Sequence, residues 1–263
     1  VGSNVTVIEM LDKIAGPTDG EISGILQKNL AKAGITFMTG AKVTGVEGTA
    51  GKGAVTVETK DGTKKVEADL ILVSTGRRAN TANIGLENIG VLTERGAVVT
   101  DEKCRTSVPG VYAAGDVNGK SMLAHTAYRE GEVAVNNMLG RDDKVDYRSI
   151  PAVIYTKPEV GTVGETLQSA KAAGINAKEH TISLRYSGRY VAEVDGGDGI
   201  AKIVIDEDHR KIIGVHMIGS YASEIIYGAA MMIAREYRVE DVRKVVFPHP
   251  TVCEIIREAI FKL

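Results

Sequence analysis

Tryptophan is absent from the 263 residues, phenylalanine occurs three times and cysteine only twice. Two thiols, at Cys104 and Cys253, build neither a disulfide framework nor a four-thiolate zinc site, so secreted-scaffold and structural-metal readings lose their basis. A reducing, intracellular compartment is the expectation, with no metal. Charge of one sign is also missing. Lys and Arg number 32 against 34 Asp and Glu, and the formal net charge of −2 removes the basic footprint of a nucleic-acid binder. No uninterrupted apolar run nears the roughly 20 residues of a membrane helix, so no membrane partner is expected. With 43% apolar and 25% charged residues the composition is that of a globular chain and not of a disordered one.

What is abundant is glycine, at 30 residues, which suits a fold with many tight strand-to-helix turns around an aliphatic core. Val1 has no Met before it and a strand-like run begins within four residues, so the N-terminus reads as a cut. Residues 5–8 form a β-branched apolar run ending in Glu9, which predicts a strand buried on both faces of a parallel sheet. Ile22, Ile25, Leu26 and Leu30 recur at helical spacing over 19–33, Gly34 stops them, and 35–38 reads as the next strand. From 42 the period changes to two, predicting a β-meander over 43–47, 54–59 and 65–67 with a turn at Asp61 and Gly62. The chain then returns to a buried strand at 70–73. A second strand-turn-helix element is expected from 111–116 into a helix over 125–139. Beyond 148, strands near 152–155, 177–183, 200–206 and 211–217, with helices near 165–173 and 224–236, read as α+β with an antiparallel sheet.

Glu9 stands where Rossmann-type sheets place the acid that hydrogen-bonds the adenosine ribose of NAD, but no GxGxxG precedes it, and alone it is an ordinary strand-end charge. The run GDVNGKS at 115–121 has three residues where a P-loop needs four between its glycines, so that reading is rejected. A strand-end turn is preferred, with Asp116 accepting bonds from ligand hydroxyls, although as an isolated motif a plain turn aspartate is the stronger explanation. His249 and Glu254, five residues apart across a proline turn, suit a general base held in one tautomer. Thr251 and Glu254 also match a helix capping box, which accounts for the glutamate without chemistry, and the two roles are compatible. Cys104 between Lys103 and Arg105, and Cys253 at a helix start, read as unremarkable thiols. Met231 and Met232 read as core or interface packing.

Six motifs in order carry a resemblance: VTVIE at 5–9, STGRR at 74–78, YAAGDV at 112–117, MLAH at 122–125, PEVGTVG at 158–164 and FPHPTVCE at 247–254. Together they resemble the flavin-dependent pyridine-nucleotide disulfide oxidoreductases, and most closely their dihydrolipoamide-oxidising branch. The resemblance implies an α/β then α+β architecture: the C-terminal half of a Rossmann-like NAD domain at 1–77, a central FAD-contacting segment at 78–148, and an α+β dimerisation domain with an antiparallel sheet at 149–263. It implies FAD and NAD as cofactors, a homodimer, and lipoyl domains of 2-oxoacid dehydrogenase or glycine-cleavage complexes as partners, in the cytoplasm or, in a eukaryote, the mitochondrial matrix. Residue by residue, Glu9 matches the acid on the NAD ribose and Gly76 a glycine passing close to NAD. Asp116 matches the flavin-ribityl contact, Leu123, Ala124 and His125 the segment lining the flavin, and His249 with Glu254 the catalytic pair. The family's FAD fingerprint, redox CxxxxC pair and GxGxxG have no counterpart in these residues, so by themselves they are expected to be inactive. The alternatives are a non-catalytic dimerisation module and a glutathione-reductase-type disulfide reductase; the acidic Glu9 favours NAD over the NADP of that type.

Overall fold

The computed structural model describes residues 2–49 and 51–263, which form two compact units. One comprises residues 2–49, 51–73 and 151–263, the other residues 74–150.

In the first stretch, strand β1 (Thr6–Ile8) is followed by helix α1 (Gly20–Lys32) and strand β2 (Thr36–Met38), and β1 and β2 pair in parallel, so the predicted βαβ unit forms. Asp19 caps α1 by accepting from the backbone N–H groups of Glu21 and Ile22. The helix ends at the left-handed Gly34. A meander follows, β3 (Lys42–Thr49), β4 (Lys52–Thr59) and β5 (Gly62–Ala68), in which Thr59 and Gly62 form the last pair, so the tight turn is residues 60 and 61. Val55 and Val57 of β4 pack with Ala41, Ile8 and Met38 beneath the parallel pair.

Two expectations fail here. β1 is half-buried and not enclosed on both faces, and among the described residues its ladder partner is β2 alone. Residues 70–73 are not a buried strand: Leu70 is 89% and Leu72 90% exposed, and no ladder among the described residues reaches them. An apolar β-branched run becomes a strand only where a neighbouring edge offers it hydrogen bonds.

The second unit holds a short hairpin, β6 (Thr93–Glu94) with β7 (Ala97–Val98), and the long helix α2 (Ala124–Met138). Cys104, Val133, Ala134 and Val145 form its small core. The strand expected at 111–116 is reduced to a single bridge between Arg105 and Tyr112. Three residues past that bridge the Gly115 N–H donates to a side chain, Glu130, and not to a neighbouring strand.

From residue 151 the chain returns to the first unit. Strands β8 (Ala152–Ile154), β9 (Val160–Gly164), β10 (Ala177–Ser183), β11 (Ile200–Asp206) and β12 (Lys211–Ile218) make an antiparallel sheet in the order β10-β11-β12-β9-β8. The helices of this stretch are α3 (Leu167–Ala172), α4 (Gly188–Glu193), α5 (Ala222–Ala234), α6 (Val239–Val242) and α7 (Glu254–Ile260). One face of the sheet buries Ile203, Ile205, Val215 and Met217 against Ile226, Ala229 and Met232 of α5 and Ile255 and Ile256 of α7. Met231, by contrast, is half exposed. The opposite face receives α1, with Ile22 and Leu26 on Val160 and Ile218. Covering on both sides explains why β11 is buried almost throughout and why strict alternation is lost there.

The same face carries a buried charge cluster. Lys202 of β11 donates to Asp19, Glu21 and Glu179, each at 3.0 Å, with its side chain 6% exposed. Burial opposes the ammonium, but bonds to Glu21, Glu179 and Asp19 prevail and raise its pKa. Asp19 thus caps α1 and ties the helix to the sheet.

Candidate functional site

The most chemical segment lies at residues 247–254. Val252 is buried and continues into Ile255 and Ile256, anchoring the segment in the sheet's core, while the Ser187 hydroxyl donates to the Thr251 carbonyl at 2.9 Å. Above this anchor the His249 Nδ1 lies 2.8 Å from Glu254 Oε1, and the imidazole side chain is 79% exposed. The second carboxylate oxygen, Oε2, accepts the Thr251 backbone N–H at 2.8 Å. One carboxylate therefore fills both roles left open by the spacing. Only half of the capping box forms, because the Thr251 hydroxyl donates to the Pro248 carbonyl at 2.7 Å. The Thr251 N–H bond first, and His249 second, hold Glu254 below the usual carboxylate range, so it is ionised at neutral pH. An ionised acceptor on Nδ1 keeps the proton there and leaves Nε2 directed to solvent as a base.

In the second unit the predicted flavin residues cluster. Gly115 has φ +83° and ψ −161°, a conformation that side chains rarely adopt, and a Cβ there would meet the Ala127 methyl at 3.3 Å. Asp116 follows at the start of a single turn of 3-10 helix over residues 116–118. Its carboxylate is exposed and, among the described residues, takes no hydrogen bond. Leu123 is the N-cap of α2 and offers no side-chain cap to the first turn, which begins at Ala124. Beneath them Glu130 is fully buried; its oxygens accept the Gly115 N–H at 2.5 Å and the Tyr147 hydroxyl at 2.7 Å. Burial, then the bond to Glu130, pushes the Tyr147 hydroxyl upward, so it remains a donor. Reading by motif missed Glu130 and Tyr147. The available signal was an acid on the buried stripe of α2, in line with Thr126, Val133, Ala134 and Asn137.

Glu9 ends β1, its N–H donating to the Met38 carbonyl and its Oε1 accepting the Leu11 N–H at 2.8 Å, which leaves Oε2 free. Gly76 is in the left-handed region, φ +93°, with open space where a Cβ would stand. It belongs to the second unit and Glu9 to the first. Cys104 is fully buried, and burial, with the Glu130 charge adding, pushes its thiol up to about 11, so the cationic neighbours do not activate it. Cys253 Sγ lies 3.0 Å from the Thr251 hydroxyl. Among the described residues no group of His, Cys, Asp and Glu is arranged to hold a metal ion. No described helix is long and apolar enough to cross a membrane.

The donor sets fit the implied cofactors. An exposed carboxylate without a hydrogen bond among the described residues, following a turn that excludes side chains, suits a ligand bearing hydroxyls, as FAD does. A carboxylate with one free oxygen at the end of a parallel strand suits a ribose diol.

A nucleotide-type α/β half followed by an antiparallel-sheet domain carrying an exposed histidine-carboxylate pair defines a class, and comparison with known families agrees. The pyridine nucleotide-disulphide oxidoreductase model matches residues 1–131 and the dimerisation-domain model of the same family matches residues 150–260; the chain belongs to this family. It is 38% identical over 263 residues to the mitochondrial dihydrolipoyl dehydrogenase of Pisum sativum, covering 98% of this chain and 52% of that protein. It is 37% identical to the leghemoglobin reductase of Glycine max, covering 98% of this chain and 50% of that protein. Among solved structures it superposes on LpdA from Mycobacterium tuberculosis with a TM-score of 0.90 at 27% identity, covering 99% of this chain and 56% of that one. The chain spans about half the length of the curated relatives it matches.

Proposed function

We propose that the chain is the C-terminal half of a dihydrolipoyl dehydrogenase, which oxidises protein-bound dihydrolipoamide to lipoamide with FAD and NAD. The observation that carries this reading is the 2.8 Å His249–Glu254 pair with its free ring nitrogen exposed. The matched dimerisation domain supports a homodimer in which His249 serves the dithiol site of the partner subunit. FAD, when bound, supplies the two-electron carrier between the dithiol and NAD. Asp116 accepts hydrogen bonds from the ribityl hydroxyls, and Leu123, Ala124 and His125 line the flavin. Glu9 accepts hydrogen bonds from the NAD ribose, and Gly76 is the glycine that passes close to NAD. His249 Nε2 takes the substrate thiol proton, since the thiolate is the species that attacks a disulfide, and Glu254 stabilises the imidazolium that results. These 263 residues contain only Cys104 and Cys253, so the exchanging sulfurs come from outside them, and alone they are inactive in this reaction. Lipoyl domains of 2-oxoacid dehydrogenase or glycine-cleavage complexes are the proposed partners, in the cytoplasm or, in a eukaryote, the mitochondrial matrix.

The test is His249→Gln in the full-length polypeptide. Lipoamide-dependent NAD reduction should fall by about 100-fold or more while bound flavin is retained. Unchanged turnover removes the assignment. A second reading, a disulfide reductase of other substrate, has support in the similarity to a protein named leghemoglobin reductase. It predicts that dihydrolipoamide turns over no faster than unrelated dithiols.

A further inference from the structure

The geometry points to Glu130 as a positioning residue for the flavin: a buried side chain that clamps the Gly115–Asp116 turn to the middle of α2 and so sets the spacing between that turn and the cofactor-contacting start of the helix. This inference rests on the reading of Asp116 and residues 123–125 as the FAD contact.

Three observations carry it. First, Glu130 is fully buried, and among the described residues it forms no ion pair. A side chain wanted only for packing would be better as an apolar residue of similar volume, because burying a carboxyl group costs free energy that its bonds barely offset. Second, both of its oxygens are spent on loop groups: the Gly115 N–H at 2.5 Å and the Tyr147 hydroxyl at 2.7 Å. The first bond ends on the residue that immediately precedes Asp116, in a backbone conformation that leaves few alternatives at that point. Third, Glu130 stands on the same helix as Ala124 and His125, six residues along, or roughly 9 Å of helical rise. A helix transmits that distance rigidly. The Gly115 bond therefore converts the position of the helix start into the position of the Asp116 carboxylate, which the structure leaves free to accept a ligand. Ser121 and Thr126, whose hydroxyls lie 2.8 Å apart, brace the intervening loop on the other side.

The experiment uses the full-length polypeptide that contains this chain, stripped of flavin and titrated with FAD. The readouts are the dissociation constant, the visible circular dichroism of the bound flavin and the thermal unfolding midpoint of the apoprotein. Glu130→Ala should weaken FAD binding about tenfold or more and alter the flavin dichroism. Glu130→Gln keeps an acceptor for Gly115 and a polar partner for Tyr147, so it should restore binding to within about threefold of wild type. Glu132→Ala, on the exposed side of α2, should leave both unchanged. If Glu130→Ala does not fold, Glu130→Asp carries the test, because the shorter chain cannot reach both partners, and wild-type FAD affinity in that variant overturns the proposal. So does a Glu130→Ala protein whose unfolding midpoint falls while its FAD affinity and dichroism stay at wild type, since Glu130 is then a packing residue only. A wild-type polypeptide that takes up no FAD removes the reading of the site and the inference with it, whereas wild-type uptake with an indifferent Glu130→Ala removes the inference alone.

Discussion

Lys202→Met removes the one cation that three carboxyl groups share. Met fills most of the volume of the lysine stem, so the loss is mainly electrostatic. The Asp19 and Glu179 side chains, 13% and 15% exposed, are left facing each other without a counter-charge, whereas Glu21 at 55% is screened by water and counts for little. Breaking a buried pair by deleting one partner costs about 3–5 kcal/mol, and residual water contact at both acids places the expectation near about 3 kcal/mol. Asp19 keeps its bonds to the Glu21 and Ile22 N–H groups, so α1 remains capped and the helix content should hold. Urea unfolding followed by circular dichroism measures the change, with an unaltered m-value as the check on two-state behaviour.

The pH dependence supplies a second, independent test. Burial opposes ionisation of Asp19, but bonds from Lys202 and the Ile22 N–H leave its pKa below the ordinary 3.8. A depressed folded pKa gives stability that is present above the unfolded value and lost as pH falls through the folded one, below about pH 4. Without Lys202 that depression disappears, so the gap between the two proteins should narrow as pH falls below about 4. The raised pKa of Lys202 acts at the other end. It stabilises fully below its ordinary 10.5 and is lost only as pH rises through the higher folded value, outside the neutral range. A loss under about 1 kcal/mol at neutral pH, or a gap that does not narrow in acid, refutes the reasoning.

Further outcomes follow from the same geometry. Cys104, fully buried and with its thiol pushed up to about 11, should resist iodoacetamide at about pH 7.5 until the protein unfolds. Mass spectrometry finding Cys104 labelled as fast as a denatured control counts against that. In the full-length polypeptide wild type should prefer NAD to NADP at equal concentration, and Glu9→Ala should raise the KM for NAD about tenfold and narrow the preference. A wild-type preference for NADP excludes Glu9 as the ribose acid.

Local chemistry made much of the fold readable. The spacing of Ile22, Ile25, Leu26 and Leu30 and the stop at Gly34 marked α1 to within a residue, because helical period and a left-handed terminator act within one turn. Strands β10 and β11 were equally legible, since their alternation or continuous apolarity is bounded by turns. Residues 70–73 and 111–116 misled for one reason. Their composition suits a strand, but a strand exists only in a ladder, and the ladder partner is a property of the whole fold. Strand β9 was seen as a motif and not as an element, although it lies inside the sheet between β12 and β8, because its glycines dilute the strand pattern.

The candidate site divides in the same way. His249, Thr251 and Glu254 lie close enough along the chain for the sequence to bring them within reach, and it left open whether the glutamate capped a helix or held the imidazole. Only the fold, by aiming Oε1 at one and Oε2 at the other, decided that it does both. Glu130, Tyr147 and Gly115 span more than thirty residues, and so do Asp19, Glu179 and Lys202. Nothing in their local patterns pairs them. The sequence by itself determined the period of α1 and of strands β10 and β11, the order of the motifs and the absence of a dithiol from these residues. Tertiary structure decided which buried charges meet, because a buried polar group must find its partner wherever packing supplies one.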